Sequence, residues 1–203
     1  MSRRFLLGSI AGLFVLLLLA GTGLIWSGAS HDVPKELRGA SVAIGGPFTF
    51  TDTSGKAVTD ATYSGKWILI YFGYTFCPDA CPTALANLSL ALDKLGQDAD
   101  AIQPLFITID PKRDTVSIIA EYLKSFSPRI VGLTGTQAQT DAAAKAYRVY
   151  VAPTKIDGDD YLVDHSAYFY LSDRDGRFVN VIGGEASADE IAARLRKLMA
   201  PAA

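Results

Sequence analysis

Trp67-Ile-Leu-Ile-Tyr-Phe-Gly-Tyr-Thr-Phe-Cys77-Pro-Asp-Ala-Cys81-Pro-Thr83 is the stretch whose reading decides the fold. Its first six residues are a near-continuous apolar run, the pattern of a strand buried on both faces of a sheet. Beyond it, Leu85, Leu88, Leu92 and Leu95 recur at helical spacing, which predicts a helix over residues 82–95. The two cysteines therefore stand where a central strand ends and a helix begins. In an open α/β sheet this is the ligand-binding end, the crevice beyond the carboxyl ends of the strands. Unpaired amides of the first helical turn, together with the helix dipole, favour thiolate there. Four residues apart, the two sulfurs share one face across a single turn, close enough to form a disulfide or to grip one ion.

The elements on either side complete the class. Residues 105–109 (Leu-Phe-Ile-Thr-Ile) read as a second buried strand, and Asp114-Thr115 as the cap of a helix with Val116, Ile119, Tyr122 and Leu123 on one side. Residues 137–147 form an alanine-rich helix. A strand pair is expected around 149–151 and 161–163, with Asp157-Gly-Asp-Asp160 between its strands. Residues 167–171 and 178–182 are two short strands joined by Asp173-Arg-Asp-Gly176, a strong hairpin signal. Ser187 caps a closing helix with Ile191, Leu195 and Leu198 on its apolar side. Upstream, the alternation Phe48-Thr-Phe-Thr51 and the turn Thr53-Ser-Gly-Lys56 suggest a short antiparallel hairpin. Strand–helix–strand–helix followed by a hairpin and a last helix gives an α/β fold: a thioredoxin-like mixed sheet with helices on both faces and an insertion before the hairpin.

The chain has 203 residues, 49% of them apolar, enough for one core of ordinary size. Its formal net charge is −2 and it has no basic run beyond Arg3-Arg4, so a nucleic-acid partner has no electrostatic footprint. Residues 5–26 are uncharged and, at about 1.5 Å each, span about 33 Å as a helix, enough to cross a hydrocarbon core of about 30 Å. Arg3 and Arg4 keep the N-terminus inside and export the chain beyond Trp26, which itself suits the interface. We therefore expect one N-terminal transmembrane helix as a membrane anchor over 1–26, a linker over 27–45, and one domain over 46–203. A cleaved signal peptide is the rival reading, with Ser27-Gly-Ala29 as its cleavage site, but cleavable apolar cores run to only about 7–15 residues. The expected location is the bacterial inner membrane with the domain in the periplasm, because no long Arg- and Ser-rich presequence precedes the anchor. The mitochondrial inner membrane facing the intermembrane space is the alternative.

Cys77 and Cys81 are the only cysteines. A bridge between them would close a loop of a few residues and constrain the unfolded chain little, so their use is chemical rather than structural. Their C-x-x-x-C spacing differs from the C-x-x-C of thioredoxin oxidoreductases and sets the second sulfur a full turn away. That geometry suits a metal, while pure redox chemistry stays open. Of the two histidines, His31 lies in the linker and reads as solvated. His165 precedes the first strand of the C-terminal hairpin, at the loop where thioredoxin-like folds carry a cis-proline beside the active cysteines. The fold thus sets an imidazole opposite the two sulfurs. Two thiolates and one imidazole form a soft, low-coordinate set that selects Cu(I), whereas a structural zinc would want a fourth ligand. Asp164 is either an orienting partner of that imidazole or a turn residue.

Gly73-Tyr-Thr-Phe-Cys-Pro-Asp-Ala-Cys-Pro82, Asp110-Pro-Lys-Arg-Asp-Thr115, Tyr161-Leu-Val-Asp-His-Ser-Ala-Tyr-Phe-Tyr-Leu171 and Asp175-Gly-Arg-Phe178 resemble the Sco/SenC family, in the right order. The small departure Ser166-Ala167, after the histidine, touches none of the three candidate ligands. The resemblance implies a thioredoxin fold in which Cys77, Cys81 and His165 bind one copper, as Cu(I) or Cu(II). It implies a metallochaperone delivering copper to the binuclear centre of a cytochrome c oxidase subunit during assembly. Family members also act as thiol–disulfide reductases on that subunit, so such an activity is the alternative. A periplasmic copper donor or thiol reductant would be a further partner.

Overall fold

The computed structural model describes residues 43–156 and 160–200; the expected anchor, most of the linker and His31 lie outside the described residues. Among those described, no helix is long and apolar enough to cross a membrane. The described residues form nine strands: β1 (Thr49–Asp52), β2 (Ala57–Thr59), β3 (Trp67–Gly73), β4 (Ile102–Thr108), β5 (Val131–Thr134), β6 (Val151–Lys155), β7 (Tyr161–His165), β8 (Tyr168–Ser172) and β9 (Phe178–Gly183). Their α-helices are α1 (Ala80–Leu95), α2 (Val116–Leu123), α3 (Gln137–Ala146) and α4 (Ala188–Met199). Seven strands form one mixed sheet in the order β2-β1-β5-β4-β3-β8-β9, and β6 and β7 pair separately.

At the centre β3 runs parallel to β4 and antiparallel to β8, and β4 runs parallel to β5. Leu69, Ile70, Tyr71 and Phe72 are wholly buried, as the apolar run required. The strand order β3, β4, β5 moves one way across the sheet, so right-handed crossovers put α1 and α2 on the same face. That face carries Tyr71, Phe106 and Gly132, and α4 packs along α1. On the other face, Tyr147 just after α3 meets the rings of Phe72 and Tyr170. Helices therefore cover both faces.

The helix ends follow local rules. Pro82 sits in the first turn of α1, where its missing N–H costs nothing, and Gly96 closes the helix at a φ of +58°. Leu85, Leu88, Leu92 and Leu95 are all buried, each worth about 2 kcal/mol of transfer free energy. Thr136 with Gln139, and Ser187 with Glu190, form reciprocal capping boxes on α3 and α4.

Two features differ from expectation. β5 is a central strand that no sequence pattern indicated. It is four residues long and contains Gly132, where a Cβ would lie 2.3 Å from Ile119 Cγ2 and 2.7 Å from Leu123 Cδ1, so α2 needs the glycine. The strand pair expected near 149–151 and 161–163 is longer and later, and makes its own sheet with Val151 opposite His165. The Asp114-Thr115 cap is present through Thr115, which accepts from the Ile118 amide, while the Asp114 side chain is fully buried. The chain also joins the body at Ile44, which packs on the core, and at Gly45, whose amide donates to the Ala146 carbonyl.

Candidate metal centre

Cys77 lies in the loop after β3, and Cys81 is the second residue of α1. The Cys77 amide donates to the Tyr74 carbonyl at 3.3 Å, folding the loop back into the helix. The Cys81 amide then donates to Cys77 Sγ at 3.3 Å, so an orphan donor of the first helical turn points at a sulfur. Cys81 is fully buried and Cys77 half-buried, and both are free thiols.

His165 is the last residue of β7, not a loop residue ahead of the hairpin strand. Its Nδ1 lies 3.1 Å from the Ser166 carbonyl, which can only accept, so in the neutral ring Nδ1 carries the proton. The Nε2 lone pair consequently faces Cys81 Sγ, 3.5 Å away. The edges and faces of Tyr71 and Tyr74 hold the ring in T-shaped contacts, with centroids 6.2 and 6.1 Å away. Asp164 takes no part in this. It accepts from Thr154 Oγ1 across the β6–β7 pair, so the backbone orients the imidazole. The donor atoms of Cys77, Cys81 and His165 all lie within 4.8 Å of one another.

Electrostatics divide the two sulfurs. The hydrogen bond from the Cys81 thiol, aided by the Cys81 and Asp79 amides, outweighs burial and holds Cys77 down to about 4. Cys81 is pushed far up by giving that hydrogen bond, by burial and by the Cys77 charge. The apo site is therefore one thiolate and one thiol sharing a proton. The buried Tyr71 hydroxyl has no hydrogen-bond partner among the described residues, and burial followed by the Cys81 charge suppresses its ionisation. Gly73 leaves the space this arrangement needs, because a Cβ there would come to 3.0 Å from Cys81 Sγ.

Residues that sequence reasoning left without a clear task support the loop. Asp114 accepts from the Thr75 amide (3.1 Å), the Thr75 hydroxyl (2.6 Å) and the Thr108 hydroxyl (2.6 Å). It ties the cysteine loop to the end of β4. Burial raises its pKa despite those three donors. Asp110 pairs with Arg113 and accepts from the Tyr161 hydroxyl at 2.8 Å. Their clustering in one short motif was the signal available in sequence.

A family model described as SCO1/SenC matches residues 38–200. The chain belongs to the SCO1/SenC family. Its similarity to the human mitochondrial SCO1 homolog is 46% identity over 189 residues, covering 91% of this chain and 63% of that protein. For the Arabidopsis thaliana mitochondrial SCO1 homolog 1 the identity is 38%, covering 88% and 58%. The chain thus spans about six tenths of the length of these SCO1 relatives. Among solved structures, Bradyrhizobium japonicum ScoI with copper bound is 46% identical, with a TM-score of 0.72 over 77% of this chain and 100% of that one. Yeast Sco1 with copper bound is 42% identical, with a TM-score of 0.70 over 76% and 87%. The thioredoxin-like α/β fold read from the sequence is the fold these SCO1/SenC structures share with the chain.

Proposed function

We propose that this protein is a copper metallochaperone of cytochrome c oxidase assembly, with Cys77, Cys81 and His165 as its copper ligands. The observation that carries the reading is the convergence of two sulfurs and a free imidazole lone pair within 4.8 Å. That donor set fits a soft, low-coordinate ion such as Cu(I). Cys77 enters as the thiolate already present, Cys81 gives up the shared proton on loading, and His165 needs no deprotonation. The ion is cargo, passed to a copper-receiving oxidase subunit, and Cys77 is the more exposed sulfur to offer it. The copper-bound relatives and the family membership support this reading.

We further propose that residues 1–26 anchor the domain and 27–45 tether it, on the outer face of an energy-transducing membrane. Two settings fit: the periplasmic face of a bacterial inner membrane, and the intermembrane-space face of the mitochondrial inner membrane. The names of the human and Arabidopsis relatives accord with the second.

The full chain, reduced and detergent-solubilised, should take up one Cu(I). His165→Ala should weaken binding about 10–100-fold while leaving Cys77–Cys81 disulfide formation intact. A copper stoichiometry near zero, or equal binding by Cys77→Ala, would overturn the assignment.

The lowered pKa of Cys77 favours one second reading, thiol–disulfide reduction. The Cys77 thiolate attacks a partner disulfide, giving a mixed disulfide and a partner thiolate. Cys81 then displaces the second partner sulfur, leaving a Cys77–Cys81 disulfide and a reduced partner. Turnover of a disulfide substrate by a variant lacking only His165 would support it.

A further inference from the structure

The β6–β7 pair carries His165 and lies outside the main sheet, which it meets through Ser166 and Ala167 at the start of β8. Two side chains tie its far end to the rest of the site. Arg113 Nη1 donates to the Tyr161 carbonyl at 2.9 Å, and the Val163 amide donates to the Tyr74 hydroxyl at 3.1 Å. Both backbone groups belong to alternate residues of β7 and so lie on one edge, the edge that ends at His165.

Arg113 makes the first of these ties and stacks on three rings. Its guanidinium lies 3.8 Å from the Tyr161 ring centroid, 4.7 Å from that of Phe76 and 5.7 Å from that of Tyr74. Asp110 closes the arrangement by pairing with Arg113 Nε and accepting from the Tyr161 hydroxyl. One planar cation thus touches the residue next to Cys77 and the strand that ends in His165. Arg113 is only 16% exposed and Asp110 5%, so water screens little of their attraction. A lysine cannot reproduce this, because it lacks the fork that reaches Asp110 and the Tyr161 carbonyl together and the flat face that stacks.

We propose that Arg113 is a positioning residue for the metal site: clamped by Asp110, Tyr161 and Phe76, it fixes the distance between the cysteine loop and His165, and so governs copper affinity through the imidazole. This rests on the copper reading above. Arg113 touches no ligand atom, and its effect travels through Tyr161 and β7.

The test is a double-mutant cycle on the full chain, using Cu(I) competition against a colorimetric chelator. Arg113→Ala should lower affinity about 10–100-fold in the presence of His165, and less than about threefold in the His165→Ala background. Arg113→Lys should recover only part of the loss. Nitrogen hyperfine coupling in the Cu(II) EPR spectrum should weaken in Arg113→Ala, a signature that general destabilisation does not produce. Should Arg113→Ala fail to fold, Tyr161→Phe, which removes only the hydroxyl bond to Asp110, carries the cycle with an expected loss of about threefold. Copper on the wild type with unchanged affinity in the Arg113 variants overturns the inference and leaves the copper reading standing. An equal loss with and without His165 also overturns it, since the action would then run through the cysteines. No copper on the wild type removes both.

Discussion

Gly73→Ala adds a single methyl group at the last residue of β3. The new Cβ would meet Phe106 Cε2 at 2.9 Å, Cys81 Sγ at 3.0 Å and Tyr71 Cε1 at 3.0 Å, where ordinary contact begins at 3.4 Å. All three neighbours are wholly buried, so none can retreat toward solvent. Overpacking of this kind costs about 1–3 kcal/mol. Gly73 is not at positive φ, so alanine incurs no backbone strain and recovers about 0.4–1 kcal/mol through the unfolded chain. The net expectation is a loss of about 1–2 kcal/mol in apo stability by urea unfolding. Copper affinity should fall about tenfold, because the easiest atom to displace is a ligand sulfur. Gly55→Ala is the control, with a φ of +83° and nothing within 4 Å. It should lose about 1 kcal/mol from backbone strain alone and keep wild-type copper affinity. A Gly73→Ala protein as stable and as copper-avid as the wild type would refute the reasoning. So would a Gly55→Ala protein with an equal drop in affinity.

Asp114→Ala leaves the wholly buried Thr108 hydroxyl proton without an acceptor and unties Thr75, and should cost about 1–3 kcal/mol, with Asp114→Asn costing less. The folded-state pKa of Asp114 is raised, so its contribution to stability is greatest below the unfolded value and is lost as pH rises through the folded one. The wild type's advantage over Asp114→Asn should therefore be larger at pH 3 than at pH 7; the opposite trend in urea titrations would contradict the assignment. Cys77 should alkylate with iodoacetamide with a midpoint near pH 4, against about 8.5 for a free thiol, and Cys81 should stay unmodified. A Cys77 midpoint above 7 in the apo protein would remove the proton-sharing account. The mature protein should retain residues 5–26, shown by intact mass after membrane extraction; a chain beginning near Ser30 and released by osmotic shock would mean a cleaved signal.

Much of the fold was legible because local patterns report burial directly. The run from Trp67 to Phe72 has no polar residue because both faces of β3 are covered, and the leucines of α1 repeat because one face of that helix is. The cysteines followed from these two elements, since a strand end and a helix start place them without help from the rest of the chain. β5 was hidden because Gly132 interrupts its pattern, and the glycine is there for the side chains of α2, which no local window contains. Local pattern shows Asp114 only as a neighbour of the α2 cap; its partners, Thr75 in the cysteine loop and Thr108 at the end of β4, reach it through the fold.

The sequence by itself determined the class of fold, the dithiol at the carboxyl end of a central strand, and the soft character of the available ligands. Only the tertiary structure decided that His165 Nε2 faces Cys81 across a separation of 84 residues, and that the Ser166 carbonyl rather than Asp164 holds the ring. It also decided that Arg113 spans from Phe76 to Tyr161. Secondary structure is written in periodicities of two and 3.6 residues. A metal site is a set of angles and distances between elements, and these are set by how the sheet orders its strands.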